Sequence, residues 1–359
     1  MKLTIQMQLL PTAEQAALLR TTMERFNEAA TFAAQLGFAA GVFSQPSIHK
    51  LAYREIRDRF GLSAQMAVRA IGKAVECFKR DKKVCPVFKP LGAITYDERI
   101  LGFKGLDKVS LWTMVGRQVI ALVYGKYQSE RFDRIKGQCD LVYRNGKWFL
   151  LATVDLPEKP PVKVTDFLGV DLGIANIATD SDGTQYSGKP VEAVRRKHNL
   201  QRKRLGHRNT RGAKKKLKRV AGKEARFRRH ENHIISKAIV QTAEDTGRGI
   251  ACENLAGIRD RLPVWAKDAR NKLSGWSFHQ LFSFVLYKAT LAGVPVVAVD
   301  PRNTSRTCAV CGHCEKANRT SQAKFSCKAC GHTDHADRNA ALNIRAQAAS
   351  KPALELASV

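Results

Sequence analysis

Four cysteines near the C-terminus have spacing that implies specific chemistry. Two residues separate Cys308 from Cys311 and two separate Cys327 from Cys330, fifteen residues lie between the pairs, and a glycine follows each pair, Gly312 and Gly331. Two such steps at this distance match a four-thiolate zinc ribbon, and the glycine supplies the backbone freedom that a tight knuckle needs. Four thiolates close a tetrahedral site, so the expected Zn²⁺ is structural rather than catalytic. His313, Cys314, His332 and His335 lie alongside, and surplus polar residues on the ribbon are the simpler reading of them. Cys77, Cys85, Cys139 and Cys252 read as small buried or incidental residues.

Three carboxylates form a second set. Asp171 ends the apolar run from Phe167, Glu253 ends the run from Gly249, and Asp337 opens a helix beyond the cysteines. Each alone has a plain structural job: a turn cap, an arginine partner, a helix N-cap. Gathered at strand ends they repel one another and resist burial unless divalent cations neutralise them. Two Mg²⁺ or Mn²⁺ ions would do so, and would activate water and stabilise the leaving oxygen in phosphodiester hydrolysis. Asp180 and Asp182 belong to a glycine-containing turn that they shape. Asp334 lies one turn too early, and Asp300, before Pro301, is kept for an accessory role at most.

A third set is basic. Arg195, Arg196, Lys197, Arg202, Lys203, Arg204, Arg208, Arg211, Lys214, Lys215, Lys216, Lys218, Arg219, Lys223, Arg226, Arg228 and Arg229 face the single acid Glu224 within one stretch. The whole chain carries 61 Lys and Arg against 32 Asp and Glu, a net charge of +29 over 359 residues. Such density destabilises helices through self-repulsion unless phosphates are near, so the expected partner is a nucleic acid. An anionic membrane is the competing partner, and that reading weakens because no apolar run of about 18 residues exists to span a bilayer. Even Trp276 to Val299 is broken by His279, Gln280, Lys288 and Pro295. Within that stretch Trp276, Phe278, Phe282 and Tyr287 are spaced for helix packing more than for base stacking.

The surrounding elements must position these groups. Leu3, Ile5, Met7 and Leu9 alternate with polar residues, which predicts a strand and not a secretory leader. Pro11 and Thr12 then open a helical block to about Lys83, with breaks near 37–46 and at Phe60-Gly61. From Val84 to Pro161 the period turns to β, and Asn145-Gly146 between two apolar runs predicts a hairpin. Pro157, Pro160 and Pro161 read as a linker. Beyond it, short strands around Val170, Ile177 and Gln185 are followed by a basic helical segment and a strand into Glu253. A helix near 277–291, a strand near 294–299, the cysteine-rich insert and a last helix near Asp337 complete an α/β order.

Gly169-Val-Asp-Leu-Gly-Ile-Ala-Asn-Ile-Ala-Thr179, Cys252-Glu-Asn-Leu255, Asn303-Thr-Ser-Arg-Thr-Cys-Ala-Val-Cys-Gly312 and Asp337-Arg-Asn-Ala-Ala-Leu-Asn-Ile344 closely resemble the signature blocks of the TnpB family. These are transposon-encoded RNA-guided nucleases related to type V CRISPR effectors. The resemblance covers most of 165–346, and for 1–160 it is one of layout. It implies a multidomain α+β chain, with an RNase H-like (RuvC) α/β nuclease domain carrying a zinc-ribbon insert and an N-terminal wedge β-barrel with an inserted helical recognition domain. The implied divisions are 1–11 and 84–160 for the wedge, 12–83 for recognition, 161–303 and 336–349 for the nuclease, 304–335 for the insert, and 350–359 as a flexible tail. Asp171, Glu253 and Asp337 fall on the family's catalytic triad, and Cys308, Cys311, Cys327 and Cys330 on its zinc ligands. The implied activity is RNA-guided DNA cleavage with Mg²⁺ or Mn²⁺ and Zn²⁺. The implied partners are a guide RNA, contacted through the basic stretch, and a double-stranded DNA target, with the protein a monomer on its RNA in the prokaryotic cytoplasm and nucleoid. A catalytically silent guided repressor or accessory factor is disfavoured by the intact acids; an unguided DNA transposase would use the same acids without a guide.

Overall fold

The computed structural model describes residues 1–254 and 278–350. It divides into two compact units, Met1–Pro157 and the chain from Glu158 onward.

In the first unit β1 (Lys2–Leu10) buries Ile5, Met7 and Leu9 on one face, as alternation demands. Thr12 caps α1 (Ala13–Ala39) in a reciprocal capping box with Gln15. Ser44 and Ser63 cap α2 (Gln45–Phe60) and α3 (Ala64–Arg80), and the left-handed Gly61 ends α2. The three helices pack around Met23, Phe26, Ile48, Ile56, Ile71 and Phe78, all buried. The sheet then resumes with β2 (Ile94–Tyr96), β3 (Leu101–Lys104), β4 (Lys108–Thr113) and β5 (Gly116–Val123). After the one-turn helix α4 (Lys126–Ser129) come β6 (Ile135–Arg144) and β7 (Lys147–Asp155). Asn145 and Gly146, at φ 52° and 80°, make the expected primed turn between the last two.

The strand order is β2-β6-β7-β1-β5-β4-β3, so the N-terminal strand is central and the helical block is an excursion from it. The sheet curls into a nearly closed barrel, with the Tyr96 hydroxyl of one edge donating to the Trp112 carbonyl at 2.9 Å near the other.

The second unit starts with the antiparallel β8 (Phe167–Asp171), β9 (Asn176–Asp180) and β10 (Gln185–Ser187). The basic stretch forms two helices, α5 (Lys189–Gly206) and α6 (Arg211–Asp245), with Thr210 capping the second. Then follow β11 (Gly249–Glu253), α7 (Phe278–Ala292), β12 (Val296–Val299), the small hairpin β13 (Lys324–Ser326) and β14 (Thr333–His335), and α8 (Ala336–Ser350). The five-stranded sheet has the order β10-β9-β8-β11-β12, with β8, β11 and β12 parallel.

One face, with Leu168, Val170, Ile250 and Cys252, packs on Ile235, Ile239, Leu281 and Val285 of α6 and α7. The other, with Phe167, Ala251, Val297 and Val299, packs on Ile344 and Ala348 of α8. Both faces are covered, which is why these parallel strands read as apolar runs without alternation. Phe278 sits in the first core and Phe282 packs on its rim; Trp276 lies outside the described residues, as do 351–359 of the expected tail. No helix among the described residues is long and apolar enough to cross a membrane.

Candidate active site and metal centre

The register of two parallel strands sets the acids side by side. Gly169 pairs with Ala251 and Val170 with Cys252, so Asp171 and Glu253 end β8 and β11 at the same level. Residues two apart share a face, so Asp171 lies on the side of Gly169, and that side meets α8. A Cβ at Gly169 would stand 2.0 Å from the Ala341 carbonyl oxygen and 2.8 Å from the Arg345 nitrogen, so α8 lies directly on bare backbone. One helical turn before Ala341 is Asp337, 5% exposed. Sheet register and helix contact together bring three acids from distant chain segments to one end of one face.

The site has its own supports. The Asn176 amide donates to Asp337 Oδ2 at 3.0 Å, and the Arg319 guanidinium donates to Oδ1 at 3.2 Å. Glu253 has no arginine partner among the described residues; Thr304 Oγ1 donates to its Oε1 at 2.6 Å. Burial, then the negative charges of Glu253 and Asp337, push the Asp171 carboxyl up to about 8 against the opposing pull of Arg319. Burial also raises Glu253, partly offset by the Thr304 hydrogen bond. A set of hard oxygen donors that resists ionisation by mutual repulsion fits Mg²⁺ or Mn²⁺.

The competing acids are engaged elsewhere. Asp180 accepts from the Asp182 and Thr184 backbone N–H groups, shaping its turn, and Asp182 pairs with Arg248. Asp300 pairs with Arg302, and Asp334 with Arg338.

Among the described residues only Cys308, Cys311, Cys327 and Cys330 gather their ligand atoms within 4.8 Å of one another. Sγ separations of 3.7 Å (Cys308 to Cys330) and 3.6 Å (Cys311 to Cys327) match the edge of about 3.8 Å of a tetrahedron with Zn–S bonds near 2.3 Å. The two knuckles repeat each other: the Gly312 N–H donates to Cys308 O and the Gly331 N–H to Cys327 O, with both glycines at positive φ, 77° and 72°. Backbone N–H groups of Cys330 and Ala329 lower the Cys327 thiol, while the neighbouring sulfurs raise that of Cys311, so the four thiols share protons as one cluster. His313 bonds Glu315 and His335 accepts from the Asp337 N–H, so neither joins the four sulfurs. Cys139 and Cys252 are buried inside the two sheets, where desolvation pushes both thiols up to about 12.

Two family models match: one described as a probable transposase covers residues 151–255, from the last strand of the first unit onward, and one described as the Cas12f1-like TNB domain covers 278–344. A CRISPR-associated endodeoxyribonuclease Cas12f1 of Sulfoacidibacillus thermotolerans is 33% identical over 219 residues, 56% of this chain and 50% of that protein. A putative RNA-guided DNA endonuclease, InsQ, of Escherichia coli is 33% identical over 220 residues, 56% of this chain and 54% of that one. Over these stretches the chain is similar to Cas12f and TnpB-like proteins. It spans about half the length of these two curated relatives. In overall fold it resembles the mini-RNA-guided endonuclease CRISPR-Cas_phi3, at a TM-score of 0.60 and 11% identity, over 98% of this chain and 93% of that structure.

In this chain α5 and α6 pack together as a hairpin. Glu224, whose side chain is 13% exposed, accepts from Arg202 at 2.8 Å and stands 3.7 Å from the buried His198. Arg195 and Arg196 bond Glu192. Arg195 and Arg202 are partly buried in the hairpin, whereas Arg196, Lys197, Lys203, Arg204, Arg208, Arg211, Lys214, Lys215, Lys216, Lys218, Arg219, Arg226 and Arg229 are exposed.

Sequence reasoning assigned no role to Asn176, Thr304, Arg319, Asn339 or Asn343. Asn339 and Asn343 on α8 hold the backbone of Thr304, Thr307 and Ala309 at the ribbon's entry. Four of the five lie inside the quoted motif blocks, which was the available signal; Arg319 lies outside them and carried none.

Proposed function

We propose that the chain is an RNA-guided, divalent-metal-dependent DNA endonuclease whose acids Asp171, Glu253 and Asp337 form a RuvC-like site. The observation that carries this reading is their convergence from three segments onto one end of one sheet face. Three antiparallel strands followed by two parallel ones, in the order β10-β9-β8-β11-β12, support an RNase H-like core. Mg²⁺ or Mn²⁺ held by the three carboxylates supplies an activated water and stabilises the leaving oxygen. Asn176 and Arg319 orient Asp337, and the ribbon, with a structural Zn²⁺ on its four thiolates, holds Arg319 in place.

The exposed cations of the α5–α6 hairpin contact the phosphates of a guide RNA or its heteroduplex without reading sequence. In the first unit the barrel is the wedge and its helical excursion the recognition part. Base pairing then chooses the target, while the protein senses the hybrid's shape. The family description as a probable transposase favours one second reading, unguided DNA strand transfer on the same acids.

Sequencing the RNA that copurifies and reprogramming its guide end test the two together. The cut follows the new guide under the first reading. It stays where it was, or needs no RNA, under the second.

A further inference from the structure

Thr304 stands where the zinc ribbon leaves the sheet, and it is 3% exposed. Its hydroxyl carries one proton and two acceptors compete for it: Glu253 Oε1 at 2.6 Å and the Pro301 carbonyl at 3.2 Å. The shorter contact to a charged acceptor wins. With a cation bound the carboxylate is ionised and only accepts, which fixes the direction of the bond. Thr304 is β-branched and therefore stiff at χ1, and its carbonyl is gripped by the Asn343 amide of α8 at 2.8 Å. That same amide also holds the Thr307 carbonyl. A rigid hydroxyl, anchored to the helix that bears Asp337, thus holds one oxygen of the acid that ends β11.

We infer that Thr304 is a positioning residue that fixes the Glu253 carboxylate through Oε1 and so presents Oε2 for a divalent cation. This rests on the reading of Glu253 as a cation ligand. The hydroxyl touches neither substrate nor reacting atoms. It keeps the ligand from sampling other rotamers, and outer partners of this kind set metal affinity more than chemistry.

Thr304→Val removes the hydroxyl with almost no change of shape, and Thr304→Ser keeps it. In the RNA-loaded protein we expect Thr304→Val to raise the half-saturating Mg²⁺ concentration for cleavage about 10- to 100-fold, with the rate at saturating Mg²⁺ close to wild type. Thr304→Ser should stay near wild type. Mn²⁺ binding followed by electron paramagnetic resonance, without any cleavage, should rank the variants in the same order.

An unchanged half-saturation and Mn²⁺ affinity in Thr304→Val overturns the inference, including the case where only the amplitude falls because less protein is folded. So does a Thr304→Ser variant as impaired as Thr304→Val. Glu253→Gln separates the two levels. If it keeps full Mn²⁺ affinity, Glu253 is not a ligand and the site reading fails with the inference; if it loses affinity while Thr304→Val does not, only the inference fails.

Discussion

Asp171, whose proton is held to about pH 8, makes the metal-free site a carboxyl cluster that resists its own charging. Its folded value lies above the ordinary carboxylate value of 3.8, so ionisation opposes folding. The contribution of this one group to the stability of metal-free protein is therefore fully present below about pH 4 and is lost as the pH rises to about 8. Thermal melting in EDTA across that range should show the decline, and Asp171→Asn should flatten it. Cation binding must expel the same proton, so apparent Mg²⁺ affinity should climb through this window and level off above it. Calorimetry in two buffers of different ionisation enthalpy would count the proton. Asp171→Asn, Glu253→Gln and Asp337→Asn should each abolish cleavage with RNA binding retained, because each removes a ligand and leaves the basic hairpin intact. At this scale the sequence showed the acids and the thiols, since strand ends and two-residue cysteine steps are local patterns. It did not show Asn176 as a partner of Asp337, 161 residues away, because only the folded sheet makes them neighbours.

The contact of α8 with β8 decides whether the acids meet. Gly169→Ala places a methyl 2.0 Å from the Ala341 carbonyl, and backbone cannot step aside as a side-chain tip would. We expect a loss of at least about 3 kcal/mol, seen as a lower denaturation midpoint, and a larger loss of cleavage than of RNA binding. The ribbon is the second determinant. Purified protein should hold about one zinc per chain, and Cys308→Ser should lower zinc content, melting temperature and cleavage together, because Thr304 and Arg319 both hang from the folded ribbon. Metal analysis beside a cleavage assay checks this; full activity in zinc-free protein would refute it. Most elements were legible: alternation in β1, the Asn145-Gly146 turn and the Thr12 cap are near-neighbour signals. That β1 would be the middle strand, paired with both β7 and β5, was not, since strand order is set by packing across more than a hundred residues.

Across the whole molecule the charge of +29 should make RNA binding steeply salt-dependent. Replacing Lys214, Lys215 and Lys216 by Ala should weaken binding about equally for different RNA sequences and flatten the salt slope by roughly one unit per lost contact. Filter binding at several salt concentrations measures both; an unchanged slope would move the contacts elsewhere. By contrast Arg202→Ala should cost stability as well as affinity, for it pairs with the partly buried Glu224 inside the hairpin. The charge run announced a polyanion but not which cations are spent internally, because that depends on how α5 meets α6. The scattered origin of the three acids also bears on how the protein is born. Synthesis runs from the N-terminus, so the hairpin with its cations emerges well before α8 delivers Asp337. Under the proposed function a nascent chain would grip a transcript while it still lacks a complete cutting centre, and the interval between the two events would separate loading from arming.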